Sequence, residues 1–209
     1  MKDYRSKLVL STAILLLPIA AGLLLWEQLP AEIATHFGPD GQANGWSGKP
    51  FAVFGLPLFL LAIHWLCLFA TLHDPKKANV GRKMLGLLFW IVPVISCIMM
   101  GMIYGIALGM AINLVLITNA LIGVVFLIIG NYMGKTHQNY TVGIKLPWTL
   151  HSTENWNRTH RVGSLCFLAG GLLLLLNMWL LSPLMLLPVI LLTVLIPVIY
   201  SYCLYKRGI

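Results

Sequence analysis

The chain has 209 residues, 59% of them hydrophobic and 10% charged, with a mean hydropathy of +0.86. That usage excludes a water-soluble globular domain and points to helices in lipid, where each backbone polar group has to be satisfied within its own segment. The formal charge of +8 would suit a nucleic-acid binder in a soluble chain, but here the placement of Lys and Arg between apolar runs accounts for it.

Six apolar runs, 8–29, 51–72, 84–105, 111–133, 162–181 and 184–205, each reach the ~20 residues a helix needs to cross a bilayer. The expected fold class is an all-α, polytopic membrane helix bundle with six transmembrane helices. The short links at 106–110 and 182–183 predict antiparallel pairing of helices three with four and five with six. The first run is long, lacks a small-x-small site and is followed by five more, so it reads as a span and not a cleaved signal.

Short cytoplasmic loops collect basic residues. Lys2, Arg5 and Lys7 precede the first run, and Lys76, Lys77, Arg82 and Lys83 separate the second from the third. Lys135, Lys145, Arg158 and Arg161 lie between four and five, and Lys206 and Arg207 follow the last. All share one side, leaving Lys49 alone on the other, which predicts both termini in the cytoplasm. Cys67, Cys97, Cys166 and Cys203 sit inside runs without CxxC spacing and read as small apolar packers.

The first informative connection is 30–50, PAEIATHFGPDGQANGWSGKP, on the external side. Gly38-Pro39-Asp40-Gly41 and Asn44-Gly45 are turn formers. Glu32, His36 and Asp40 are spaced by four; one helical turn would set Glu32 beside His36 as a metal or proton site, or simply as an ordinary solvated loop helix. Gly38-Pro39 would break that helix before Asp40 aligns, and a structural zinc site takes four N or S donors, so no metal is expected. Trp46 suits either an interfacial anchor or a platform for a peptide.

Within the runs the polar groups are His64, Asn113, Asn119 and Asn177. His64, beside Trp65, reads as a satisfied packing histidine in preference to a proton relay. No Asp or Glu lies deep in a run, which argues against an ion-coupled transporter. Gly101, Gly105 and Gly109 form a small-xxx-small row suited to close helix packing, and Pro18, Pro57, Pro93, Pro188 and Pro197 predict kinks.

The second informative connection is cytoplasmic, 130–163, GNYMGKTHQNYTVGIKLPWTLHSTENWNRTHRVG. Pro147 ends an extended segment, Ser152 is a good N-cap, and 153–161 can form a helix that runs into span five and pairs Glu154 with Arg158. Trp148 and Trp156 suit the membrane interface, with basic residues reaching for phosphate headgroups. His137, His151 and His160 could serve as bases, Ser152 or Thr159 as nucleophile and Glu154 as orienting acid. Yet no nucleophile elbow, HExxH, Walker loop or GxGxxG is present, and the chain is not expected to be an enzyme or to carry a cofactor.

These two connections also carry a resemblance. Leu29-Pro30, Ile33, His36-Phe37-Gly38, Asp40-Gly41, Gly45-Trp46 and Lys49 resemble the N-terminal DUF1648-like domain of the SdpI family. Gly130-Asn131-Tyr132-Met133, Asn139-Tyr140, Val142-Gly143-Ile144, Pro147-Trp148-Thr149-Leu150, Trp156 and Thr159-His160 look like that family's second signature. Lys145 stands where the family often has Arg, keeping the charge without the bidentate geometry. The resemblance implies a two-span region at 1–72 holding the external signature loop and a four-span region at 73–209 holding the cytoplasmic signature loop 130–163.

It further implies a bacterial membrane immunity protein that protects against a secreted SdpC-type peptide toxin and recruits an ArsR-type autorepressor to the membrane, with membrane lipids as its surroundings and no direct nucleic-acid contact. The expected toxin-binding residues are Glu32, His36, Asp40 and Trp46. Those expected to bind the partner are Asn131, Tyr140, Lys145, Trp148, Arg158 and His160. Two other classes compete: a small transporter or exporter of peptide or lipid, which would need a polar, water-lined path, and a membrane-embedded enzyme using the histidine-containing loop.

Overall fold

A computed structural model of the chain describes residues 2–209, and side chains from Tyr4 onward. Six helices are long and apolar enough to cross a membrane. They are α1 (Lys2–Leu24), α2 (Leu56–Leu72, extended at its start by a π-helical turn at Phe51–Gly55), α3 (Arg82–Ala107), α4 (Leu114–Met133), α6 (Thr153–Leu180) and α7 (Leu186–Lys206); a short α5 (Pro147–His151) precedes α6. The chain is a multi-pass membrane protein, and its helical class is the one the apolar runs predict.

The cores form two compact units, one of residues 1–68 and 87–114, the other of residues 69–86 and 115–209. In the first, α1 and α3 run side by side: Tyr4 stacks on Phe89 with ring centroids 5.7 Å apart, the Cys97 Sγ–H donates to Ile14 O, and the Tyr104 hydroxyl donates to Pro18 O at 3.0 Å. In the second, α6 and α7 are tightly paired as an antiparallel hairpin, with Phe126, Leu174 and Val189 at a core shared with α4.

Three expectations about the spans change. The 30–50 connection is not helical: Glu32–Phe37 (β1) and Ala43–Gly48 (β2) form an antiparallel hairpin, so Glu32 and His36 lie along one strand, about 13 Å apart at ~3.3 Å per residue, and not on one helical turn. The row Gly101, Gly105 and Gly109 is no packing seam. A Cβ on Gly101 would meet nothing within 4 Å, and Gly109 lies beyond the end of α3, where its φ of +83° turns the chain. Close helix contact falls instead on Gly123 of α4 and Gly171 of α6, where a Cβ on either residue would meet the other's carbonyl oxygen at about 3 Å. The third change concerns His64, which is fully buried but only half satisfied: its Nε2 bonds Ser11 Oγ at 3.0 Å, while Nδ1 finds no partner among the described residues.

The π-helical turn has a local cause. Pro57 has no N–H and its ring would strike the carbonyl of residue 53 in a regular α-helix. The wider turn, in which the Leu56 N–H reaches Phe51 O, carries that carbonyl away.

Candidate functional site

The hairpin is seated by its buried face. Ile33 is fully buried and Phe37 half-buried against a cluster that includes Leu29, Ala52, Val53, Met100, Ile103 and Tyr104. This burial fixes which side of the ribbon meets the helices, because a one-residue slip would exchange the two faces. The Thr35 and Ser47 hydroxyls bond across the pair at 2.9 Å. Lys49 donates from Nζ to Trp26 O at 2.9 Å and sits 5.1 Å from the Trp26 ring centroid, so the lone basic residue of this connection is employed in holding the hairpin base.

The outward side carries Glu32, His36, Asn44 and Trp46, with Trp46 59% exposed. His36 Nδ1 bonds Asn44 Oδ1 across a bulge, which fixes the imidazole plane. Asp40 is turned to another use. Its Oδ1 accepts the Gln42 N–H at 3.1 Å, an Asx turn that closes the tip next to Gly41 at φ +78°. Of the four residues expected here, Glu32, His36 and Trp46 therefore share the exposed side of one ribbon, and Asp40 builds its turn.

The 134–152 connection is ordered by polar side chains that face inward. Asn139 is fully buried; its amide donates to His137 O and Val142 O, and its Oδ1 accepts the N–H groups of Thr141 and Val142. Asp74, from the 73–81 segment, accepts the Lys76 N–H at 2.7 Å on Oδ1 and both the Tyr140 N–H and the Thr141 hydroxyl at 2.9 Å on Oδ2. Burial by itself would raise its pKa, but the Lys76 N–H, the Thr141 hydroxyl, the Tyr140 N–H and the Lys76 charge together overcome that and hold the carboxyl below its ordinary range. Asn79 reinforces the same clasp, donating from Nδ2 to Gln138 O at 2.7 Å and accepting the His137 N–H on its own carbonyl at 3.1 Å.

Ser152 caps α6 as its residue type predicts, accepting the Asn155 N–H at 3.1 Å, and Glu154 pairs with Arg158 at 2.6 Å. Both members of that pair are about half exposed, so it contributes a few tenths of a kcal/mol at most. Pro147 starts α5 and does not merely end the extended stretch before it.

Trp156 is not at an exposed interface. It is fully buried, donates Nε1–H to Thr136 O at 2.8 Å and stacks on His160 with centroids 3.9 Å apart. His160 has both ring nitrogens engaged: Nδ1 bonds Trp156 O at 2.8 Å and Nε2 accepts the Ile144 N–H at 3.0 Å. A carbonyl can only accept and a backbone N–H can only donate, so His160 is neutral with its proton on Nδ1. Such a ring has no lone pair or proton left for catalysis; its work is to hold Ile144.

Trp148 is half-buried, donates to Ser201 Oγ at 2.8 Å and stacks on Tyr205. Ser201 in turn donates to Asn155 Oδ1 at 2.7 Å, binding the start of α6 to α7. Asn131, Tyr140, Lys145 and Arg158 are exposed. Thus four of the six residues expected to meet a partner are on the surface, and Trp148 and His160 support the scaffold beneath it. Sequence reasoning passed over Asp74, Asn79 and Asn155; the one available signal was a lone acid within an otherwise basic segment, DPKK.

Two family models match the chain in order. The domain of unknown function DUF1648 covers residues 13–61, which contain the hairpin connection, and the SdpI/YfhL protein family covers residues 135–201, which take in the second connection from residue 135 onward. The immunity protein SdpI of Bacillus subtilis (strain 168) is 27% identical over 163 residues, covering 76% of this chain and 74% of that protein. No solved structure matches. With six spans and the two matched regions in this order, the chain is similar to the SdpI/YfhL protein family.

Proposed function

We propose that this protein is a membrane immunity protein that protects its cell from a secreted peptide toxin of the SdpC type by binding, without bond-making chemistry. The observation that carries the reading is the likeness to a protein named for immunity, extending over about three quarters of both chains. The hairpin supports it. Its Trp46 is a rigid amphipathic surface flanked by Glu32 and an oriented His36, on a ribbon anchored by buried Ile33. The one-sided distribution of Lys and Arg supports an orientation with that hairpin outside the cell and the 134–152 connection within.

The test is survival of toxin-sensitive bacteria expressing the protein and challenged with SdpC-type peptide. Wild type is expected to protect, and His36→Ala with Trp46→Ala to lower survival at least tenfold, because both side chains are exposed and their removal leaves the buried face intact. Wild type that inserts in the membrane and gives no protection would overturn the reading.

The same proposal assigns a second role to the opposite connection, recruitment of an ArsR-type repressor. Tyr140, Lys145 and Arg158 are each exposed, the two basic side chains suit an acidic partner, and the buried clasp orders the stretch around Tyr140. Lys145→Glu with Arg158→Glu is expected to release a co-expressed repressor from the membrane fraction while toxin protection stays at the wild-type level. Repressor retained by this double variant at normal membrane abundance would remove the surface from consideration.

A further inference from the structure

Within the first unit, three spans bring polar side chains to one depth. The Ser11 hydroxyl of α1 lies 3.1 Å from Leu8 O and 3.0 Å from His64 Nε2 of α2. A hydroxyl has a single proton and a carbonyl only accepts, so both contacts are hydrogen bonds only if Ser11 donates to Leu8 and His64 Nε2–H donates to Ser11. The neutral imidazole then has its proton on Nε2, and Nδ1 is a bare acceptor. This is the opposite tautomer to that of His160.

That acceptor is fully buried and has no partner among the described residues; the only other buried side-chain atom there in the same condition is Ser96 Oγ of α3. Their depth agrees. The contacts Tyr4 with Phe89, Ile14 with Cys97 and Pro18 with Tyr104 set residues of α3 level with residues of α1 that are 83 to 86 positions earlier. Ser96 is therefore level with residues 10–13, the turn that holds Ser11. An orphan acceptor and an orphan hydroxyl at one level of an apolar bundle each carry a desolvation cost that a single shared molecule would remove.

We infer that His64 and Ser96 form a binding site for one buried water, which donates to His64 Nδ1 and accepts from Ser96 Oγ–H. The ligand class follows from the tautomer: a bare imidazole nitrogen takes a hydrogen-bond donor, and a cation or an anion would find no countercharge, because none of the contacts on these three side chains is charged. Together with Ser11 the water makes a polar bolt through α1, α2 and α3.

The site is tested on the full chain in lipid bilayers by solid-state NMR of isotope-labelled histidine. Ile63-His64 is the only Ile-His pair in the sequence, so pairwise labelling of these two residue types reports His64 without any mutation. The expected result is a neutral ring protonated at Nε2, with polarisation transfer from water protons to Nδ1 that is lost in Ser96→Ala. A ring protonated at Nδ1, or no transfer from water in wild type, overturns the site. Undiminished transfer in Ser96→Ala also overturns it, since Ser96 would then hold nothing.

Discussion

Replacing Gly143 by alanine is expected to destabilise the protein by about 3–5 kcal/mol, the largest effect of any single methyl group in the 134–152 connection. Gly143 has φ +122°, a backbone region that a side chain enters only with strain. The added Cβ would also lie on His160 Nε2, with the Trp156 ring at 3.2 Å on its other side. His160 cannot yield without giving up the Ile144 N–H, nor Trp156 without giving up Thr136 O, so the methyl group undoes two buried hydrogen bonds. The measurement is thermal unfolding in detergent followed by tryptophan fluorescence. Gly86→Ala is the control, since that glycine lies in α3 with nothing within 4 Å and should be neutral or slightly stabilising. Equal unfolding temperatures for Gly143→Ala and wild type would refute the packing described.

The second large effect is expected at Asp74, where Asp74→Asn should cost about 2–4 kcal/mol. The carboxylate accepts from three donors, and an amide would turn its own NH2 toward at least one of them. The pH dependence has a definite sign. Because the native carboxyl is held below its ordinary value, it binds protons less readily than in the unfolded chain. Its stabilisation is present above the ordinary carboxylate range and fades as pH falls below about 4, through the depressed native value. Unfolding temperature should therefore drop on acidification more steeply in wild type than in Asp74→Asn. Asp3, Glu27, Glu32, Asp40 and Glu154 are common to both proteins, so the difference between the two pH curves isolates Asp74. Parallel curves would mean that the clasp carries no charge.

Most of the fold was legible because lipid imposes a length and a polarity that six runs satisfy. The run at 51–72 coincides with its helix, including the π-helical start, whereas α6 begins at Thr153, nine residues before the apolar run at 162. Hydropathy registers only the lipid-facing length, and the polar first turns of α6 are packed against protein through Asn155, Trp156, Thr159 and His160. The hairpin was missed because its period-two signal, Ile33, Thr35 and Phe37, is short, and bulges at Thr35 and Asn44 break the alternation. Attention to the glycines and to the spacing of Glu32, His36 and Asp40 favoured a turn of helix that the strand then replaced.

In the second connection the signature residues were visible, but not which of them face inward. Trp156 and His160 are as polar-edged as Trp148 and Lys145, and only the partners Thr136 and Ile144 distinguish a supporting ring from a surface one. Asp74 was the hardest to see. Two of its three donors, the Tyr140 N–H and the Thr141 hydroxyl, come from 66 and 67 residues away and leave no local pattern.

The π-helical turn at Phe51–Gly55 has a bearing on how this chain tolerates changes in length. A π turn holds one residue more than the α turn it replaces, and it returns to α geometry directly at Leu56. It therefore works as a slack loop in the helical thread, able to take up or give back one residue while the face that α2 presents beyond it stays unrotated. A deletion between Leu58 and Ile63 has no such reserve and would swing His64 by about 100°, away from Ser11. A one-residue change in the length of α2 is thus expected to be tolerated at its hairpin end, where the ribbon's attachment can lengthen or shorten without disturbing the buried polar level below.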